Sequence, residues 1–264
     1  MQHQPRKRFG QNFLHDPAVI QRIVNAIQPQ AEQHLVEIGP GQGAITIHLI
    51  DRCGKLDVIE LDRDLIPGLH AVSQAGHFHI HNADALRFDF CSLAENDNKL
   101  RLLGNLPYNI STPLLFHLLG QAECIHDLHF MLQKEVVERI VAAPGSKIYG
   151  RLSVAIQARC SSEMLFVIGP GAFNPAPKVE SAIVRLTPDK DAIQAIRYPQ
   201  LLDEILQQAF SQRRKIILNS LKKSVDGPML EAVAIEPTAR AEVIPVSSYV
   251  KLANLAGDRK KQPI

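Results

Sequence analysis

Apolar residues along the first 190 positions fall into two alternating rhythms: short continuous runs, and stretches spaced three and four apart. Asp16 followed by Pro17 is a helix-start signal, and Val19, Ile20, Ile23, Val24 and Ile27 continue it at helical spacing. HLVEIG (34–39) reads as a short apolar strand entering the turn GPGQG, with a helical pattern over Ala44–Ile50 behind it. KLDVIEL (55–61) is a second strand ending in acidic residues, after which Asp62 is placed to cap a helix. HFHIH (77–81) is a third, and LRLLGNLPY (100–108) a fourth with Ser111–Leu119 helical after it. LHFMLQ (128–133) is a fifth, followed by a helical pattern over Lys134–Val141. Met164–Ile168 and Ala182–Leu186 are further strands flanking the loop GPGAFNPAPKVES, a hairpin-like pair expected at one sheet edge. Strands alternating with helices predict right-handed βαβ units and a parallel sheet.

From about residue 190 the rhythm is helical only. Leu201–Leu221 reads as one long helix, with further helices at 228–234 and 247–256. The prediction is an α/β domain over residues 1–190, a boundary near Pro188, and a small all-α domain over 191–264.

Composition narrows the class. Hydrophobic residues make up 45% and charged residues 21%, the balance of a soluble globular protein. No apolar run approaches the length of a membrane span, and the start MQHQPRKRFGQNFL has no apolar core of a signal peptide, so a cytoplasmic protein is expected. Cys53, Cys91, Cys124 and Cys160 lie at least 33 residues apart, with no C-x-x-C pair. A zinc knuckle, a redox motif and a disulfide framework are therefore not expected. The net charge of +2 hides a segregation: residues 1–30 carry +3, 31–177 carry −5 and 178–264 carry +4. Basic ends around an acidic middle suit a polyanion held by the ends, though solvated helix faces would leave the same imprint.

Three places carry candidate chemistry. Glu37-Ile38-Gly39-Pro40-Gly41-Gln42-Gly43-Ala44 is a glycine-rich strand-to-helix turn. Its glycines let backbone approach a ligand closely, and Gly39, Gly41 and Ala44 satisfy a dinucleotide-binding pattern, so a nicotinamide cofactor is open at this step. Glu60, ending the second strand, is placed to accept hydrogen bonds from ribose hydroxyls, which suits a nicotinamide and an adenosyl cofactor equally. Asp84, after the third strand, can accept from an adenine amine; an ordinary loop Asp reads the same way.

Asn105-Leu106-Pro107-Tyr108 after the fourth strand decides between these. The exocyclic amine of adenine is a poor nucleophile because its lone pair is delocalised into the ring. The Asn105 side-chain oxygen and the Leu106 carbonyl can each accept one N–H, localising that lone pair. Pro107 stiffens the backbone that aims the carbonyl, and Tyr108 offers a flat face for an extruded base. A plain turn uses similar residues. After the fourth strand of a glycine-loop sheet the tetrad points to transfer onto an adenine amine and away from hydride chemistry.

The chain resembles the ribosomal RNA adenine N6,N6-dimethyltransferases of the bacterial small-subunit type. The likeness runs through RKRFGQNFL (6–14), VEIGPGQGAIT (36–46), VIELDRDL (58–65), NLPYNISTPLLFHLL (105–119), MLQKEVVERI (131–140), YGRLSV (149–154), FNPAPKVESAIVRL (173–186) and QRRKIILNSL (212–221). The resemblance implies a Rossmann-like methyltransferase sheet and S-adenosylmethionine as cofactor. It implies that Asn12 and Leu14 close over the cofactor, with Gly39 at its methionine and ribose, Glu60 at the ribose hydroxyls, Asp84 at the adenine amine and Asn105 where methyl and amine meet. Phe173 is expected to sandwich the target adenine opposite Tyr108. The implied reaction is direct displacement at the sulfonium methyl by N6 of two adjacent adenosines in a 3′-terminal hairpin loop of 16S rRNA. The expected partner is the small ribosomal subunit, with the protein a monomer away from membranes. A DNA adenine methyltransferase and a non-catalytic ribosome-assembly factor on the same fold are the competing readings.

Arg214, Lys215, Lys222 and Lys223, projected on one long helix, share half its circumference and are expected to track RNA phosphates; Arg213 turns toward the apolar side. Arg6, Lys7 and Arg8 form a second basic patch. His77, His79 and His81 share one face of a strand without carboxylate or thiol support, and read as an edge feature with no metal. Lys134 and Glu138, four apart, read as a structural helix pair.

Overall fold

The structure is a computed structural model describing residues 11–261 apart from 73–76, 96–97 and 213. Two compact units divide the chain. One runs to Val137 and resumes over Glu163–Pro188; the other comprises Glu138–Ser162 and the residues described from Asp189 on. The return near Pro188 coincides with the expected boundary, but the single cut at residue 190 does not describe the division, because Glu138–Ser162 clusters with the helices.

The first unit opens with β1 (Phe13–Leu14) and α1 (Pro17–Ile27). Asp16 caps α1 by accepting the N–H groups of Ala18 and Val19, and Pro17 occupies the first helical position where no donor is needed. Then follow β2 (His34–Ile38), α2 (Thr46–Leu49), β3 (Lys55–Ile59), α3 (Ile66–Val72), β4 (Phe78–His81), β5 (Leu100–Asn105), α4 (Ser111–Leu119), β6 (Ile125–Gln133) and α5 (Lys134–Ile140). Beyond α6 (Arg151–Gln157) come β7 (Cys160–Ile168), β8 (Phe173–Asn174) and β9 (Ser181–Pro188). Seven strands form one sheet in the order β4-β3-β2-β5-β6-β9-β7, while β1 pairs antiparallel with β8. The strands β4, β3, β2, β5 and β6 are parallel and β9 joins antiparallel, so β9 and β7 make the edge pair.

The chain order runs outward from β2 in one direction and then, at β5, in the other. That reversal is where open α/β sheets leave a crevice at the strands' carboxyl ends. Below it, Ile20, Ile23, Val24 and Ile27 of α1 share a core with Leu35, Leu56, Val58 and Leu103 of the sheet. The buried Arg101 ties this end together: its guanidinium donates to Asp127 and to the Ile27 and Gln28 carbonyls.

Two expectations change here. His79 and His81 lie on the edge strand and His77 just before it, but His81 is bound inward: Asp57 takes His34 Nε2 on one oxygen and His81 Nε2 on the other, each at 2.5 Å. Burial pushes the Asp57 carboxyl up, and these two hydrogen bonds outweigh it, leaving it well below the usual carboxylate range. Cys91 and Cys124, thought too scattered to pair, are disulfide-bonded, because 3-10 turns at 90–93 and 122–124 bring their Cα atoms to 5.4 Å. Cys53 and Cys160 are free and buried.

The second unit adds α7 (Lys190–Ala195), α8 (Pro199–Ser211), α9 (Ile217–Leu221), α10 (Gly227–Ala232) and α11 (Val246–Lys261) to α6. Leu201, Leu202, Ile205, Leu206 and Ala209 of α8 are buried, and the Phe210 ring lies between Tyr149 and Tyr249 at 6.2 and 5.8 Å. The single helix expected over Leu201–Leu221 is two. Gln212 leaves helical geometry, Ile216 is extended, and Ile216 pairs with Arg240 in an isolated antiparallel bridge. No helix among the described residues is long and apolar enough to cross a membrane.

Candidate active site

The crevice at the carboxyl ends of β2 and β5 holds a cavity of about 340 Å³. Its floor is the turn after β2. Gly39 and Gly41 have φ of +67° and +59°, the left-handed region that glycine enters without steric cost. A Cβ on Gly41 would stand 3.1 Å from the Phe13 ring of β1, so the turn and the N-terminal strap meet only because that atom is missing.

Glu60, one residue past β3, is buried and accepts the Gly41 N–H at 3.2 Å on one oxygen and the Asp62 N–H at 2.8 Å on the other. Burial raises its pKa, with those backbone donors opposing. Asp62 accepts from Asp64 N and Gln11 Nε2, so it caps the turn before α3 and tethers the strap. Asp84 lines the same cavity, with Oδ1 accepting the Leu86 N–H at 3.0 Å.

The post-β5 segment closes the opposite wall. Asn105 Nδ2 donates to the Asn12 carbonyl at 3.0 Å. Neither the Asn105 Oδ1 nor the Leu106 carbonyl receives a hydrogen bond from the described residues. Two adjacent acceptors of the cavity lining are thus without a donor among the described residues. Tyr108 is half-buried and its hydroxyl meets Ser181 Oγ at 2.8 Å; burial raises the phenol's pKa, keeping it neutral. Asn12, Leu14, Gly39, Gly41, Glu60, Asp84, Asn105, Leu106, Pro107 and Tyr108, named from sequence, all line this one cavity.

A family model for "Ribosomal RNA adenine dimethylase" matches residues 2–258. The chain belongs to this family. It is 55% identical over 254 residues to Ribosomal RNA small subunit methyltransferase A of Pseudomonas aeruginosa, an alignment covering 96% of this chain and 95% of that one. The protein of the same name from Hydrogenovibrio crunogenus is 54% identical over 258 residues, with 96% and 97% covered. Among solved structures, a dimethyladenosine transferase from Plasmodium falciparum aligns with TM-score 0.79 at 24% identity, over 93% of this chain and 98% of that one. The 23S rRNA methyltransferase ErmE aligns with TM-score 0.69 at 22% identity, over 93% and 100%. These two likenesses establish the Rossmann-like methyltransferase fold.

Within this family member some expected residues lie elsewhere. Phe173 is not among the residues lining the cavity: in β8 it pairs with Leu14, and its side chain, 3% exposed, packs in the core. Arg214 and Lys215 lie in the break between α8 and α9, while Lys222 and Lys223 follow α9. The shared helical face expected of them does not exist, although all four are exposed and none is ion-paired among the described residues. Arg213 and the patch Arg6, Lys7 and Arg8 fall outside the described residues. Lys134 contacts Glu180 at 2.8 Å.

Sequence reasoning missed Glu37. It is buried in β2, lines the cavity and accepts the Thr46 hydroxyl at 2.6 Å. Burial pushes its pKa up to about 7, the Thr46 bond opposing and the Glu60 charge adding. Its signal was an acid inside a strand buried at every position, where an unpaired charge is costly.

Proposed function

We propose that this protein transfers methyl groups from S-adenosylmethionine to N6 of two adjacent adenosines in the 3′-terminal hairpin loop of 16S rRNA, within the small ribosomal subunit. The observation that carries the reading is the pair of open acceptors, Asn105 Oδ1 and the Leu106 carbonyl, beside the Tyr108 ring. The names of the relatives, small-subunit rRNA methyltransferases, support the substrate.

The cavity suits the cofactor on its own chemistry. A left-handed glycine turn admits close backbone approach, a buried carboxylate at the β3 end is placed for ribose hydroxyls, and Asp84 keeps one oxygen for an adenine amine. Bound there, S-adenosylmethionine supplies an electrophilic methyl group on sulfur. Asn12 and Leu14 cover that ligand from the strap, and Gly39, Gly41 and Glu60 hold it from the sheet.

Asn105 and Leu106 act on the nucleophile. With Asn12 holding Nδ2, the Asn105 oxygen accepts one N6 hydrogen and the Leu106 carbonyl the other, drawing the lone pair out of the ring for attack. Tyr108 stacks the extruded base, worth roughly 1–3 kcal/mol. No strong base is needed, because the methylated amine sheds its proton readily. Positioning and polarisation carry the rate.

The helical unit, with Arg214, Lys215, Lys222 and Lys223 exposed, is assigned to RNA binding. The protein acts as a cytoplasmic monomer. Methyl transfer from labelled cofactor to unmethylated small subunits, naked 16S rRNA and duplex DNA, run in parallel, tests this. Transfer to the subunit is expected. Transfer to DNA alone would overturn the substrate, and cofactor binding without any transfer would favour an assembly factor.

A further inference from the structure

Tyr108 is held at two points. Its carbonyl accepts the Ser111 hydroxyl at 3.0 Å, and its phenol meets the Ser181 hydroxyl at 2.8 Å. Ser181 is fully buried, and Tyr108 is its only side-chain hydrogen-bond partner among the described residues. It opens β9, paired with Gln133 of β6, and the residue before it is fixed twice: the Glu180 carbonyl accepts the Lys134 N–H at 3.0 Å and its carboxylate contacts Lys134 Nζ at 2.8 Å. The phenol of a loop residue is thus pinned to a fixed strand 73 positions later.

A tyrosine side chain free of such a tether samples three staggered χ1 positions. Anchoring both its backbone and its hydroxyl fixes the axis of the ring, leaving only rotation about that axis. Tyr108 lines the cavity beside Asn105 and Leu106.

We propose that Ser181 is a positioning residue: by holding the Tyr108 phenol it sets the ring against which the target adenine stacks, without touching substrate or cofactor. The inference rests on the adenine-N6 reading of the site.

The test is a double-mutant cycle on the full-length protein with unmethylated small ribosomal subunits as substrate. Ser181→Ala and Tyr108→Phe each remove the same hydrogen bond from opposite ends. Each is expected to lower kcat/KM for the subunit roughly three- to tenfold, the double variant no further than the weaker single, with cofactor affinity unchanged. Ser181→Thr, which keeps the hydroxyl, is expected to recover most of the loss. Additive losses, or a Ser181→Ala protein with wild-type kcat/KM and merely a lower Tm, would overturn the proposal.

A second readout needs no turnover. The chain has four tyrosines and no tryptophan, so ring-labelled tyrosine NMR resolves Tyr108 directly. Ser181→Ala is expected to shift and narrow its ring signals toward rotamer-averaged values. Unchanged Tyr108 signals would overturn the tether. Shifted signals in Ser181→Ala alongside a wild-type protein that transfers no methyl to RNA would keep the tether and overturn the functional reading of the site.

Discussion

The Asn105 side chain donates to the main-chain carbonyl of Asn12, 93 residues earlier, at 3.0 Å. This bond fixes which end of the amide is engaged, so the N-terminal strap orients the acceptor proposed to polarise the target amine. Asn105→Ala should lower turnover by roughly 10²–10³, the loss expected for one well-placed polar group in a reacting site. The cofactor's Kd, read by calorimetry, should change less than tenfold, a rough bound for one neutral hydrogen bond. Wild-type turnover would remove Asn105 from the mechanism.

Glu60 already holds two backbone N–H groups, and its remaining lone pairs are proposed to accept from ribose hydroxyls. Glu60→Ala should weaken S-adenosylmethionine binding roughly ten- to a hundredfold, the range for a hydrogen bond to a charged group. An unchanged Kd would reject the ribose contact.

Glu37 makes the protein's stability depend on pH in an unusual direction. Its folded pKa of about 7 lies above the ordinary 4.5, raised by burial. The folded state therefore holds a proton that the unfolded state releases, and stability is full below about 4.5 and lost as pH rises through about 7. The difference corresponds to roughly 3 kcal/mol. Glu37→Gln, which keeps an acceptor for Thr46, should raise Tm of the ligand-free protein by several degrees at pH 8 and leave it unchanged at pH 4. Equal effects at both values would contradict the buried neutral acid.

Arg214, Lys215, Lys222 and Lys223 cluster around a break and a turn at the two ends of a five-residue helix. Replacing all four by Ala should weaken RNA binding and flatten its dependence on salt, by roughly 0.7–0.9 in log–log slope for each phosphate left without its cation. Cofactor affinity should not move. A salt slope equal to wild type would show that these residues do not face phosphate.

Most of the α/β unit was legible because its strands are apolar runs bounded by glycine and acid, and because Asp16-Pro17 announces the first helix. Gly39, Gly41, Glu60, Asp84, Asn105 and Tyr108 were legible because they end or follow strands at the carboxyl edge of the sheet, whereas Asn12 and Leu14 were implied only by the family resemblance. Gly104 carried no assigned role in the sequence, yet a Cβ there would stand 2.3 Å from the Ile38 carbonyl, so only glycine lets β5 lie beside β2 at this height. The break after Ser211 was invisible for a different reason. Gln212 and its basic successors are good helix formers, and the apolar spacing continues through them; the Ile216–Arg240 bridge and the Ile217 N–H to Ala239 carbonyl bond override that propensity from more than twenty residues away. Phe173 was misplaced because a motif names a residue type but not the direction of its ring. The Cys91–Cys124 pair depends on two turns whose approach no spacing encodes.

The central claim is that Asn105 and Leu106 prepare an adenine N6 for repeated methylation. It is tested most directly by incubating unmethylated small ribosomal subunits with the protein and methyl-labelled S-adenosylmethionine, digesting the 16S rRNA to nucleosides and identifying the labelled product by mass. Label is expected in N6,N6-dimethyladenosine, with two labelled methyl groups on one nitrogen. Label confined to another base, or to a ring nitrogen or ribose oxygen of adenosine, would contradict it.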